Sequence, residues 1–163
     1  MFPFYNKYRK KKKESDDAPK ERKPRKKREK PDLVKRLDKV FSAYIRLRDC
    51  MPNGQCQCIS CGHIKYFREM DNGHFFSRSN MATRFDEDNC NAECIGCNRC
   101  KSDHIFYYQE NLIRKIGLAR FETLKARSAT IKKWSDDELQ KMIQKYTAEV
   151  HRLSREKGIP VNI

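Results

Sequence analysis

Two Cys-x-x-Cys pairs, Cys58-Ile59-Ser60-Cys61 and Cys94-Ile95-Gly96-Cys97, constrain this chain more than any other feature. A gap of two residues lets both thiolates of one turn reach the same ion. Two such turns complete the tetrahedral set of four sulfurs that structural Zn2+ takes. Gly62, directly after Cys61, suits a tight knuckle with a backbone angle open to glycine. The ligand register stays open at this level, because Cys56 lies beside the first pair and Cys97-Asn98-Arg99-Cys100 is itself a Cys-x-x-Cys. Cys50 and Cys90 are left over, as small buried thiols.

A metal brace also answers a shortage of core. Of 163 residues, 36% are charged and 37% hydrophobic, little apolar material for a domain of this length. Met1–Lys13 has no apolar signal-peptide core, and no apolar run approaches the roughly 18 residues of a membrane span. The expectation is a soluble, cytoplasmic protein with no membrane partner. Its eight cysteines then serve as metal ligands or free thiols rather than disulfides.

Charge points to the partner. The net charge is +15 and the isoelectric point about 9.6, a surplus that suits a polyanion such as DNA. Residues 1–31 hold 14 Lys/Arg against 5 Asp/Glu, a net of +9, which leaves +6 for the rest. Like charges at that density, broken by Pro19 and Pro24, predict a disordered phosphate-binding arm.

The body reads as α+β, over 32–158, with 159–163 as a short tail. Pro31-Asp32 starts an amphipathic helix over 32–49, with Leu33, Leu37, Val40, Phe41, Tyr44 and Ile45 on one face. Residues 50–97 lack helical periodicity and read as hairpins and loops, with β-prone pieces at Ile64–Phe67 and His74–Phe76. One helix is expected from Asn98 to Gly117, its inner face Ile105, Tyr108, Leu112, Ile113 and Ile116, and a short one over Leu118–Arg127. Ser135-Asp136-Asp137-Glu138 is a capping box opening the last helix, which Gly158 stops. Trp134, just before the cap, reads as a hydrophobic staple.

The 32 residues between Cys61 and Cys94 exceed the ~15–20 that a plain zinc ribbon needs, so the insert houses something else. It contains Asp71-Asn72-Gly73-His74-Phe75-Phe76 and then Arg84-Phe85-Asp86-Glu87-Asp88-Asn89, with Cys97-Asn98 following. In this order (Cys-x-x-Cys, Gly-His-Phe, an Asn five residues before a second Cys-x-x-Cys, then Cys-Asn) the chain resembles the HNH, or ββα-metal, endonucleases. The stretch DNGHFFSRSNMATRFDEDNCNAECIGCNR, with FSAYIRLRD before it and KKWSDDEL after it, is similar to the phage NinG/Rap recombination nucleases over roughly residues 32–155.

The resemblance implies a zinc-braced ββα-metal core flanked by helices. It implies His74 as general base, Asn89 as the residue that orients it, and Asp71 and Asn98 as ligands of one catalytic Mg2+ or Mn2+. Asp71 sits three residues before the base, similar to the phage endonuclease VII branch. The position just before the base, which often carries a ligand in these enzymes, is here Gly73. Asp86 and Asp88 are the substitutes should Asp71 not serve. Cys58, Cys61, Cys94 and Cys97 are implied as the structural zinc set.

These residue types suit phosphodiester hydrolysis. A neutral imidazole can take a proton from water near pH 7. A hard divalent ion prefers oxygen donors and stabilises charge on the phosphate. Arg78, Arg84, Arg99 and Lys101 are the candidate DNA contacts. The products implied are 5′-phosphate and 3′-hydroxyl ends, and the substrate implied is branched recombination DNA. A four-way junction is symmetric, so a homodimer would place two cuts. A non-catalytic zinc-braced nucleic-acid binder is the competing reading from another class, and a site-specific HNH nuclease a third.

Overall fold

The computed structural model describes residues 32–100 and 103–163. The basic arm over 1–31 and the candidate DNA contact Lys101 lie outside the described residues. Helix α1 (Leu33–Asp49) begins at Asp32, whose carboxylate accepts from the Lys35 N–H at 3.1 Å, satisfying one of the free donors of a first turn. Its apolar stripe buries Leu37, Val40, Phe41, Tyr44 and Ile45, mainly against α5 (Asp136–Lys157).

The last helix follows its sequence signals closely. Ser135 and Glu138 form the reciprocal capping box, and Gly158 takes the left-handed conformation (φ +65°) that ends it. Trp134 packs on the core as expected, with its indole N–H donating to the Met81 carbonyl. The body does not stop at 158. Ile159 is buried, and Val161 and Ile163 pack against the main cluster.

Aromatic rings carry the α1–α5 seam. Phe41 meets Tyr146 edge-on at 4.8 Å and Phe85 at 5.8 Å, pairs worth about 0.5–1.5 kcal/mol beyond their buried area. Tyr44 and Tyr146 both donate to the Glu87 carboxylate, at 2.7 and 3.1 Å. Burial, and then that carboxylate, raise both phenols above their ordinary range.

In sequence between these two helices come two small antiparallel sheets. Strands β1 (Gln55–Gln57) and β2 (Ile64–Tyr66) form the first. Strands β3 (Met70–His74) and β4 (Cys90–Cys94) form the second, in register Met70↔Cys94 through His74↔Cys90. The β-prone piece expected over His74–Phe76 is thus displaced. The strand ends at His74, and its partner is Cys90-Asn91-Ala92-Glu93-Cys94, within the hairpin-and-loop region but not among its expected β-prone pieces. Arg48 holds this second strand to α1, donating to the carbonyls of Glu87 (2.9 Å) and Cys90 (2.8 Å).

The helix expected from Asn98 to Gly117 is two helices, α2 (Ile95–Cys100) and α3 (His104–Ile116). Gly117, at φ +83°, turns the chain into α4 (Leu118–Ser128). A second apolar cluster, Tyr108, Leu112, Phe121 and Leu124, packs α3 and α4 together. The buried Tyr108 hydroxyl lies 3.0 Å from the Gly73 carbonyl and 3.2 Å from that of Asn89, so it bridges both strand ends of the second hairpin.

Gly73 is needed for space. A Cβ there would fall on the Glu93 carboxylate and 2.7 Å from the Glu93 Cβ. Glu93 cannot retreat, because it is fully buried and held by the Ser60 hydroxyl (2.5 Å) and His104 Nδ1 (2.6 Å). This also explains why no ligand-bearing side chain can precede His74. Gly73→Ala is expected to cost about 1–3 kcal/mol as overpacking, read as a lowered denaturant midpoint. Adding Glu93→Ala should recover part of the loss, since contacting sites are not additive. An unchanged midpoint in Gly73→Ala would refute the packing.

Candidate metal centre and cleft

The β1–β2 hairpin folds Cys58 and Cys61 into a knuckle. The Cys58 N–H donates to the His63 carbonyl, the Gly62 N–H donates back to the Cys58 carbonyl (both 2.9 Å), and Gly62 takes φ +72°. Cys94 ends β4 and Cys97 lies one turn into α2. Their thiols meet the knuckle. The four sulfurs of Cys58, Cys61, Cys94 and Cys97 all lie within 4.8 Å of one another. The Cys94 N–H donates to Cys58 Sγ at 3.3 Å, a contact that stabilises a thiolate.

Four soft sulfurs at this spacing fit the closed tetrahedral geometry of Zn2+, so the donor set is positioned to hold a metal ion. Without a cation, burial pushes the Cys58 thiol up to about 11. A bound ion would remove that penalty by deprotonating the thiol outright.

The structure thus selects one register. Cys56 lies against Cys50 and takes no part in the cluster. The two oppose each other across an isolated antiparallel bridge, a proximity that spacing alone does not reveal. Cys100 is exposed and Cys90 is a buried free thiol.

Beside the cluster is a cleft of about 480 Å³ lined by Asp71, Asn72 and His74 of the β3 end, Arg78 of the following loop, Asn98 and Arg99 of α2, and Lys35, Asp38, Lys39 and Ser42 of α1. It brings Asp71, His74 and Asn98 together. The Asn98 amide donates to Asp71 Oδ2 at 2.9 Å, and Arg99 grips the same carboxylate through Nε (2.7 Å) and Nη2 (2.8 Å). The Arg99 hydrogen bonds hold the Asp71 carboxyl below its usual range, so it is ionised at neutral pH. The Asp71 carboxylate is thus an ionised group capped by the Asn98 amide N–H and by a guanidinium.

His74 sits with Nδ1 3.2 Å from the Asn72 carbonyl and Nε2 3.1 Å from the Arg84 carbonyl. A neutral ring has one N–H, so one carbonyl accepts it and the other nitrogen keeps a lone pair. Burial depresses the His74 pKa, against the pull of those two carbonyls.

Asn89 does not touch this ring. Its side chain is fully buried, accepting from the Phe76 N–H (2.7 Å) and donating to the carbonyls of Phe76 (3.1 Å) and Thr83 (2.9 Å). Its own carbonyl accepts from the Phe75 N–H at 3.0 Å. The residue expected to orient the imidazole instead ties the chain leaving His74 to the foot of β4.

Asp86 and Asp88 lie away from the cleft. They pair with Arg127 and Arg120 in a separate polar pocket. Of the candidate DNA contacts, Arg84 is engaged by Asp38, through Nε (3.0 Å) and Nη2 (2.5 Å), and is mostly buried. Arg78 meets the same carboxylate at 2.6 Å but stays largely exposed. Sequence reasoning missed Asp38, whose only signal is a carboxylate on the polar edge of an amphipathic helix, and the lysines beside it. His104 is bonded to buried Glu93.

These features define a class: a strand–loop–strand–helix unit with a four-cysteine cluster positioned to hold a metal ion and a polar cleft at its side. Within that class the chain belongs to the NinG family. The family described as "Bacteriophage Lambda NinG protein" matches residues 5–156. Among curated relatives, "Protein ninG" of Salmonella phage P22 is 33% identical over 96 residues, covering 57% of this chain and 44% of the relative. That of Escherichia phage 933W is 28% identical over 128 residues, covering 77% and 60%. That of Escherichia phage lambda is 34% identical over 87 residues, covering 52% and 39%. The matched part of the chain therefore spans about half the length of these relatives. No solved structure matches the chain. Among the described residues no helix is long and apolar enough to cross a membrane.

Purified protein is expected to carry one tightly held zinc per chain. Cys61→Ser and Cys94→Ser should lose it and melt at a lower temperature, while Cys100→Ser, outside the cluster, keeps both metal and midpoint. Full zinc content in Cys94→Ser would remove that residue from the ligand set.

Proposed function

We propose that this protein is a metal-dependent DNA endonuclease of HNH type that hydrolyses phosphodiester bonds in branched recombination intermediates. One observation carries the reading: Asp71, His74 and Asn98, from the end of one strand and the start of a helix, face a single cleft beside a sulfur cluster that fixes both elements. Membership of a phage protein family is consistent with a role in phage recombination. A bound Mg2+ or Mn2+, held by the Asp71 carboxylate and the Asn98 amide oxygen, would supply Lewis-acid stabilisation of charge on the phosphate.

The chain's own groups do the rest. His74, neutral at pH 7 because it is buried, takes the proton from the attacking water on the nitrogen that carries the lone pair. Backbone carbonyls face both ring nitrogens, so one of them accepts the ring N–H and holds the tautomer, and the attacking water takes the place of the other. Asn89 positions the base indirectly, by locking the backbone on both sides of the loop that follows it. Arg78 is exposed and can contact phosphate, whereas Arg84 serves the site through its carbonyl.

His74→Ala is expected to lower cleavage of four-way junctions and forks in Mn2+ by about 10²–10⁴-fold, the usual range for a lost general base, while binding survives. Products should carry 5′-phosphate and 3′-hydroxyl ends. Wild-type protein that binds DNA and never nicks any substrate would give the site to a non-catalytic binder instead.

The pH profile adds a signed test. Only the neutral ring accepts a proton, so activity falls as pH drops through the His74 pKa. Because burial lowers that pKa, the acid limb should lie below the ordinary histidine value of about 6.5. An acid limb above 6.5 would exclude His74 as the titrating base.

A further inference from the structure

We propose that the α1 face bearing Lys35, Lys39 and Ser42, with Arg78 across from it, is the phosphate-binding wall of the cleft and holds the nucleic-acid backbone next to the bond that is cut. The assignment rests on the nuclease reading for its ligand, although binding can be measured without cleavage.

The spacing comes first. Residues 35, 39 and 42 fall at i, i+4 and i+7, so they share one side of α1, and all three line the same cleft as Asp71, His74 and Asn98. One helical turn separates the two ammonium groups by about 6 Å of rise, a step of the same order as that between successive phosphates on one strand. The opposite side of the helix is bolted into the core through Leu37, Phe41 and Ile45. The wall is therefore rigid, a condition for holding a flexible strand at low entropic cost.

Charge accounting says what the wall can take. Its one carboxylate, Asp38, is already committed to Arg84 and Arg78, so it does not repel an incoming anion as a free acid would. Among the described residues Lys39 has no ion pair. Lys35 has only the exposed Asp32 at 3.1 Å, a contact worth little in water. The Ser42 hydroxyl has no hydrogen-bond partner among the described residues, and a hydroxyl donates readily to a phosphate oxygen. The wall therefore offers one unpaired ammonium group, a second held only by an exposed carboxylate, a free donor and one exposed guanidinium to a ligand whose neighbouring phosphate faces Asp71 and His74. A sugar-phosphate strand, with negative charge at regular intervals, meets both requirements.

The test is a salt titration of binding to a fluorescent four-way junction and a linear duplex, using the full chain with Ca2+ in place of the cleavage metal. Each phosphate contact contributes about 0.9 to the slope of log K against log salt. Lys35→Ala/Lys39→Ala should therefore flatten the slope by about 1.8 and weaken binding roughly tenfold at low salt. Lys35→Arg/Lys39→Arg should restore both. Lys65→Ala/Lys141→Ala, at exposed positions away from the cleft, should leave the slope as in wild type.

An unchanged slope in the α1 double variant overturns the proposal, as does an equal loss in the control pair. Competition by polyglutamate but not by unlabelled duplex would reassign the wall to an acidic protein segment. The two readings fail separately. A flattened slope in protein that never cuts keeps the wall and removes the nuclease. Cleavage that is lost in His74→Ala, with a slope indifferent to Lys35 and Lys39, keeps the nuclease and removes the wall.

Discussion

The convergence of four sulfurs is the constraint on which the working half of this molecule depends. Cys58 and Cys61 belong to one hairpin, Cys94 and Cys97 to the junction of β4 with α2, and their sulfurs lie within 4.8 Å of one another. The larger apolar cluster joins α1 to α5 and takes in Met70 of β3, Cys90 and Ala92 of β4 and Cys97 of α2, while the smaller joins α3 to α4. The elements carrying Asp71 and Asn98 add only these few side chains to it. Thiolate–metal bonds are strong enough to replace a local core, so the chain can keep an open polar cleft where a domain of its size would otherwise need apolar contacts.

Electrostatics then sorts the cationic groups of the cleft into fixed and available ones. Asp38 commits Arg84, whose carbonyl meets the imidazole of His74. Asp71 is covered by Arg99. The groups left over, Lys39 above all, are those that can meet an anion without first breaking an internal pair. A count of positive residues over this stretch would treat all of them alike, and only the partners distinguish them.

The helices were the legible part, because α1 and α5 announce themselves by apolar periodicity and by Asp32, Ser135, Glu138 and Gly158 at their ends. The side chains of the cleft were legible as a spaced motif. What escaped has physical reasons. Strand β4 buries Asn91 and Glu93, which bond to Arg48, Lys115, Tyr108, Ser60 and His104. Its five residues alternate apolar and polar but include no β-branched or aromatic side chain, so the usual strand signal is missing. The division of α2 from α3 has no glycine or proline to mark it. The backbone bonds of Asn89 are not legible, because a buried amide bonding to backbone leaves no trace in composition. The zinc register was undecidable by spacing, since Cys56 differs from the ligands only in facing Cys50.

Helix α2 has six residues, too few to persist unaided, because the cost of nucleating a helix is recovered only over a dozen or so. Its shape is therefore borrowed from the sulfurs at its base. A cell short of zinc would hold a molecule whose outer helices still stand while the one that presents Asn98 has come undone. Such a protein would melt earlier yet keep most of its helix, and would be disarmed at a single turn.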